Sequence, residues 1–281
     1  MGREQIDSKA ASQRLVGAKS ISDFLQQWLD GDFLRGEEWD TFSRYYVSYI
    51  DHFGSYIKFH YGAQTRELFG ALAQDKSKKI LEIGCGCGTE SLWVALQGYT
   101  VKGIDISDEM LRVARARQGV LEAALGRKLA CDFEKRSVLD ISGEQYDVIW
   151  MEQAFHHLEP RAEVLKKLSA LLRPGGRLVI CEVNAWNPML QAVFFKQRGF
   201  NTISTDEHGG QVGNERILTA KALGRLLARH GIREERIRYF RFFPNKPWVD
   251  WIASRFGVVD DKDIAMLRPL YTHYNYVGAK E

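Results

Sequence analysis

An α/β fold built on a doubly wound, mostly parallel sheet of seven strands follows from three features of this sequence. From Lys78 onward, short apolar runs alternate with helical stretches, the pattern of crossover units with helices on both faces of a sheet. The first of those runs ends in the glycine turn Glu82-Ile83-Gly84-Cys85-Gly86-Cys87-Gly88. The second ends on an acid, Asp105, 21 residues beyond Gly84.

KKILEIG (78–84) is a short apolar run ending in glycine and reads as a buried strand. Thr89 to Gln97 follows as a helix with Leu92, Trp93, Ala95 and Leu96 inward, stopped by Gly98. YTVKGID (99–105) is the second strand. Ser107 is an N-cap type, and Asp108 and Glu109 suit the positive end of the next helix. KLACDF (128–133), YDVIWM (146–151) and RLVICEV (177–183) continue the strand series. Between the last two, Pro160 to Leu172 is a helix with proline near its start and RPGG (173–176) ending it. Thr219 to His230 is a helix closed by Gly231, and RIRYFRFF (236–243) and NYVGAK (275–280) are late strands. No clear helix separates these two, so one of them is expected to run antiparallel.

Residues 1–70 read as a helical, aromatic-rich cap ahead of a larger unit spanning 71–281. Phe42, Tyr46, Ile50, Phe53 and Ile57 fall on one apolar stripe of a helix. Tyr45, Tyr49, His52 and Tyr56 make a second stripe with polar tips. Such a helix either lends Tyr45, Tyr49 and His52 to a substrate cleft or is simply a well-packed amphipathic helix.

Composition narrows the partners. The 281 residues carry a net charge of +3, and basic residues such as Arg112, Arg115 and Arg117 alternate with acids, as on solvated helix faces. No nucleic-acid footprint is expected. The first twenty residues lack the apolar segment of a signal peptide, and no stretch reaches the roughly 18 apolar residues of a membrane span. Cys85, Cys87, Cys131 and Cys181 have no disulfide-framework spacing, so free thiols in a cytoplasmic protein are expected. Cys85-x-Cys87 offers two thiolates where a closed zinc site needs four ligands, and no metal is expected.

The glycine turn is the most informative segment. Glycine permits the positive backbone angles of a tight turn and lets a ligand press against bare backbone, with helix-start amides close by. A carboxylate at Asp105 would reach the hydroxyls of a ribose bound across the switch point of the sheet. A dinucleotide fingerprint needs glycine or alanine where this chain has Thr89; glycine falls at Gly88 instead. That spacing suits a ligand without a pyrophosphate, whose amino-acid part crosses the turn.

KKILEIGCGCGTES, GYTVKGIDISDEMLRVARAR, YDVIWMEQAFHHL and LLRPGGRLVI, in that order, resemble the class I S-adenosylmethionine-dependent methyltransferases. The likeness is to the small-molecule group with a ubiquinone- and sterol-methyltransferase-like core, and it covers roughly residues 76–185. The resemblance implies a Rossmann-like fold and S-adenosyl-L-methionine as cofactor. It implies that Glu82 orients the turn near the methionine amino group, that Gly84, Gly86 and Gly88 cradle the amino-acid moiety, and that Asp105 holds the ribose. Ile106 and Met110 would pack on adenine. The acid that many relatives place after the third strand is replaced here by Ser137, followed by Val138, with Asp132 as the competing position.

The fourth strand runs into Met151-Glu152-Gln153-Ala154-Phe155-His156-His157, which the resemblance places beside the methyl donor. A histidine there suits a general base; His156 and His157 are both candidates, and both are also common structural residues in this group. Glu152 reads as a cofactor-side contact. Two insertions are expected to wall the acceptor pocket: 184–218, with Trp186, Phe194, Phe195 and Phe200, and 244–273, with Trp248, Trp251, Phe256 and Tyr271. Arg198, Arg216 or Lys246 would meet an acidic group. These point to methyl transfer onto a small molecule with an aromatic or lipid-like body. The rivals are a macromolecular substrate and a donor-binding protein that transfers no methyl; nothing in the sequence fixes the oligomeric state.

Overall fold

The computed structural model describes residues 13–198, 217–260 and 262–281. Its sheet has seven strands: β1 (Lys79–Ile83), β2 (Thr100–Asp105), β3 (Cys131–Lys135), β4 (Tyr146–Glu152), β5 (Leu172–Val183), β6 (Ile232–Phe240) and β7 (His273–Lys280). They lie in the order β3-β2-β1-β4-β5-β7-β6. Every pairing is parallel except those of β7, which runs antiparallel to both β5 and β6. The chain leaves β1 toward β2 on one side and returns to β4 on the other, so the switch point lies between β1 and β4. That is where a doubly wound sheet opens a crevice at its strand ends.

Strand positions follow the apolar runs, with shifts where turn chemistry competes. β3 lies two to three residues later than the sequence suggests. RPGG, expected to end the preceding helix, falls inside β5: the β4–β5 register jumps between Tyr146 and Val148, so Pro174 to Gly176 are taken up as a bulge.

Before the sheet come α1 (Ile21–Asp30), α2 (Gly36–Tyr45), α3 (Val47–Asp51), α4 (Ser55–Gln64) and α5 (Arg66–Leu72). Ser20 caps α1 by accepting from the Asp23 amide at 3.1 Å. The aromatic helix expected to carry the stripes from Phe42 to Ile57 is broken in two places. Tyr46 leaves helical geometry, and His52 is extended (φ −160°, ψ 113°). The second break is held from outside: Asn245 donates to the carbonyls of Ser48 and His52, each at 2.9 Å. Asp250 accepts from the Tyr56 amide at 3.0 Å, capping α4 from another element. A Cβ on Gly54 would lie 2.5 Å from that carboxylate.

After β1 come α6 (Thr89–Leu96) and α7 (Asp108–Leu125), the latter capped by Ser107 as expected. α8 (Arg161–Leu171), α9 (Pro188–Arg198), α10 (Ala220–Ala228) and α11 (Pro247–Asp260) follow in order. Strand side chains alternate between two layers. Ile80, Val101, Val148 and Val179 pack on Phe24, Trp28, Leu92 and Trp93, while Leu81, Ile83, Ile149 and Ile180 pack on Val164, Leu168 and Leu223. Each such fully buried side chain contributes roughly 1.5–3 kcal/mol. The N-terminal helices therefore share a core with the sheet.

Arg117, expected on a solvated face, is fully buried. Its Nη1 donates to the Cys87 carbonyl at 2.8 Å and to Thr89 Oγ1 at 2.7 Å, and its guanidinium lies 4.5 Å from the Trp28 ring and 5.1 Å from Phe42. The aromatics of α1 and α2 supply the surroundings that a helix pattern alone does not show. Through it the glycine turn is fastened to α1, α2 and α7.

Among the described residues, no helix is long and apolar enough to cross a membrane.

Candidate active site

At the switch point β1 passes into α6 through Gly84 (φ 73°), Gly86 (φ 50°) and Gly88 (φ 74°), backbone states that favour glycine. The Gly84 and Cys85 amides both donate to the Ile104 carbonyl, at 2.9 and 3.0 Å. Asp105 accepts from the Gly86 amide at 2.8 Å and from the Ser107 amide at 2.9 Å. One carboxylate thus locks the turn to the start of α7, and the acid 21 residues after Gly84 has a structural duty as well as an open face.

The turn forms one wall of a cavity of about 530 Å³, within the ~300–1,000 Å³ range of small-molecule sites. Of the residues singled out from sequence, Gly84, Gly86, Asp105, Ile106, Met110, Ser137, Val138, Glu152, His156, His157, Tyr45 and Tyr49 line it. Glu82 and Gly88 stand behind the wall. Glu82 is buried and accepts from Ser91 Oγ; a Cβ on Gly88 would meet Phe133 at 2.7 Å and Ala114 at 2.9 Å.

His52 does not join Tyr45 and Tyr49 at the cavity, because the break at His52 turns the chain off the face they share. Tyr56 is also off that face; its hydroxyl accepts from the Phe242 and Phe243 amides. Ile50, expected in the apolar stripe, is exposed. Asp132, the alternative to Ser137, is an exposed mid-strand residue because β3 ends at Lys135.

The expected aromatic walls are also corrected. Trp248 and Trp251 are 75% and 64% exposed and do not line the cavity, nor does Trp186. Tyr271 is buried in the core, stacked on Phe242 at 4.1 Å. Lys246 is exposed and away from the cavity. Phe200 and Arg216 lie outside the described residues, as do the side chains of Phe194, Phe195, Arg198 and Phe256. Among the described residues, the aromatic side chains lining the cavity come from the N-terminal helices: Tyr45, Tyr46, Tyr49 and Tyr61.

Sequence reasoning missed two acids. Glu182, near the end of β5, accepts from the His156 amide at 3.2 Å, and its other oxygen lies 2.8 Å from His156 Nδ1. As a carboxylate it can only accept, which places the imidazole proton on Nδ1 and leaves Nε2 as the basic nitrogen. An acid in the otherwise apolar run LVICEV (178–183) was the signal available. Glu90, in the first turn of α6, is buried, lines the cavity and accepts from the Tyr61 hydroxyl at 2.7 Å.

The electrostatics of the wall are set by these acids. Burial and the neighbouring Glu90 push Glu152 up to about 8. Burial also raises Glu90, against the lowering effect of the Tyr61 hydrogen bond, and raises Glu82 well above the usual carboxylate range. A cavity with bare glycine backbone on one side and enclosed carboxyls on the other fits a ligand carrying positive charge and an amino-acid moiety. Gly84 faces Ala154 so closely that a Cβ would lie 2.6 Å from the alanine Cβ, so the turn can present only backbone there.

The chain is similar to known methyltransferases in sequence and in fold. The methyltransferase-domain family matches residues 81–178, the stretch from β1 into β5. Methyltransferase GfsG of Streptomyces halstedii is 28% identical over 210 residues, covering 66% of this chain and 75% of that protein. The ubiquinone biosynthesis O-methyltransferase of Aeromonas salmonicida is 34% identical over 110 residues, covering 38% of this chain and less than half, 44%, of that enzyme. Magnesium protoporphyrin IX methyltransferase from Synechocystis, solved with bound S-adenosylhomocysteine, shares the fold at a TM-score of 0.57 and 16% identity, covering 87% of this chain and 97% of that one. A switch-point cavity floored by an acid-x-Gly-x-Gly-x-Gly turn, in a seven-stranded sheet with β7 reversed, therefore lies in a chain that carries a methyltransferase domain over residues 81–178 and is similar in sequence and fold to class I S-adenosylmethionine-dependent methyltransferases.

Proposed function

We propose that this enzyme moves the methyl group of S-adenosylmethionine onto a hydroxyl of a small molecule with an aromatic or lipid-like body. The pairing of His156 with Glu182 at the cavity wall carries this reading. The donor supplies an already activated methyl group, so the chain's own tasks are to bind, orient and remove a proton. A hydroxyl must lose its proton on attack, and an imidazole held with Nδ1 protonated offers Nε2 to take it. His157, whose ring centre is 4.0 Å from that of His156, is assigned the lesser role because the carboxylate pairs with His156.

On the donor side, Gly84, Gly86 and Gly88 would form the cradle and Glu82 its buried support. Asp105 would take the ribose, and Ile106, Met110, Ser137 and Val138 the adenine. Glu152 would face the donor's charged end. Tyr45 and Tyr49 would contact the acceptor. In this reading residues 1–70 act as a cap on a transfer domain spanning 71–281, and the protein works in the cytoplasm without nucleic acid. Supporting a small acceptor are the size of the cavity and its tyrosine wall.

The test is S-adenosylhomocysteine formation with a panel of phenols and aliphatic alcohols. His156→Ala is expected to lower turnover by about 10²–10⁴-fold near pH 7 while donor binding measured by calorimetry is kept. Full activity of the variant at every pH would remove the base assignment.

A further inference from the structure

We propose that Glu90 and Glu152 make the cavity select for the positive charge of the methyl donor, so that the sulfonium is held and its neutral thioether product is let go. The inference rests on the assignment of this cavity to S-adenosylmethionine. It starts from how the two acids are placed. Glu90 is fixed by the first turn of α6, immediately after the glycine turn, and Glu152 by the last position of β4. Both line the same cavity.

In each acid the protein occupies one oxygen. Oε1 of Glu90 accepts from Tyr61, and Oε1 of Glu152 accepts from Gln64 at 2.8 Å and from Gln153 at 3.1 Å. The Glu90 amide also approaches its own carboxylate; among the described residues no other side chain donates to either acid, and no lysine or arginine pairs with them. Two enclosed carboxyls sharing a cavity without a cation are disfavoured in the ionised state. The raised position of Glu90 and the value of about 8 for Glu152 agree with this.

The groups around the pair leave that balance to a ligand. From the N-terminal helices come the hydroxyls of Tyr45, Tyr46, Tyr49 and Tyr61. Burial keeps Tyr46 and Tyr61, and the thiols of Cys87 and Cys181, in their neutral forms. Glu82 on β1 and Glu182 on β5 are committed to Ser91 and His156. Arg117 and Arg241 act only from a distance and are engaged elsewhere, Arg117 with Cys87 and Thr89, Arg241 with the Phe243 carbonyl at 3.3 Å.

Methyl transfer turns the sulfonium into a neutral thioether, and once the proton taken up by His156 has passed to solvent the cavity holds one positive charge fewer. A bound sulfonium favours the carboxylate form of the pair, so a carboxyl proton passes to solvent as the donor binds. The neutral product offers no such compensation, and the acid wall loses its hold on it. Glu90 and Glu152 are thus residues that determine donor over product.

The measurement is titration calorimetry of the whole chain with S-adenosylmethionine and with S-adenosylhomocysteine between pH 6 and 7.5, in phosphate and in Tris to count protons. Donor affinity is expected to rise by up to about tenfold per pH unit, with release of up to one proton, and the donor-to-product affinity ratio to rise with it. Glu90→Gln, which keeps an acceptor for Tyr61, and Glu152→Gln should each flatten that rise and cut the ratio by about tenfold or more. His156→Ala should leave the proton count unchanged. A ratio that does not move with pH in the wild type, or that survives in both variants, overturns the proposal while leaving the cavity assignment intact. Failure of both ligands to bind overturns the cavity assignment as well. Should Glu90→Gln not fold, the wild-type ratio and Glu152→Gln decide.

Discussion

Replacing Glu182 by glutamine tests the base assignment without needing the methyl acceptor. The carboxylate makes two buried contacts, 2.8 Å to His156 Nδ1 and 3.2 Å to the His156 amide, and is itself 3% exposed. A glutamine side chain has one oxygen and one NH₂ to set against two donors. If its oxygen takes the backbone amide, its NH₂ faces Nδ1, and the ring must move its proton to Nε2 to accept. If its oxygen takes Nδ1–H, its NH₂ collides with the backbone N–H. The first arrangement costs least, so the variant is expected to hold the wrong tautomer for a base at Nε2. Losing a charge-assisted pair in a buried site costs about 1.5–3 kcal/mol. At about 2 cal/mol/K of unfolding entropy per residue, a chain of this size would lose roughly 3–5 °C of melting temperature. The decisive assay is ¹⁵N–¹H correlation spectroscopy of the His156 ring, with the proton on Nδ1 in the wild type and on Nε2 in Glu182→Gln. Turnover of any hydroxyl acceptor should fall by about 10²–10⁴-fold. An unchanged tautomer together with an unchanged melting temperature would refute the reasoning.

Two further outcomes follow from the cavity wall. Glu152→Gln should stabilise the protein increasingly as pH rises. The folded carboxyl is raised from its ordinary 4.5 to about 8, so the wild type loses stability through that window, by at most about 1.4 kcal/mol per pH unit. The two melting curves should coincide below pH 4.5 and separate most near pH 8; a separation that shrinks with pH contradicts the sign. Gly84→Ala should cost about 2–5 kcal/mol in denaturant melts, from a positive φ and overpacking against Ala154. Gly98→Ala, with φ 86° and open space around it, should cost only the backbone part, about 1–2 kcal/mol. Equal losses would mean that Ala154 yields.

Much of this protein is decided by local pattern. Strand–helix alternation determined the doubly wound sheet, because period and length of an apolar run constrain the element that can bury it. The turn from Glu82 to Gly88 and the acid at Asp105 could be placed because a tight turn needs glycine at fixed positions and a switch point lies at strand ends. What sequence could not show depends on partners distant along the chain. The aromatic helix breaks at His52 because Asn245 and Asp250, nearly 200 residues away, cap the broken ends. Arg117 is a core cation because Trp28 and Phe42 fold over it. His156 gained its carboxylate only when β4 and β5 paired in register, Glu152 beside Cys181, which sets Glu182 against the turn after β4. Local sequence fixes which backbone a segment prefers, whereas hydrogen-bond partners and desolvation belong to whatever the fold brings alongside, and so the glycine turn was legible in the sequence while the His156–Glu182 pair and the acid wall were decided by tertiary structure.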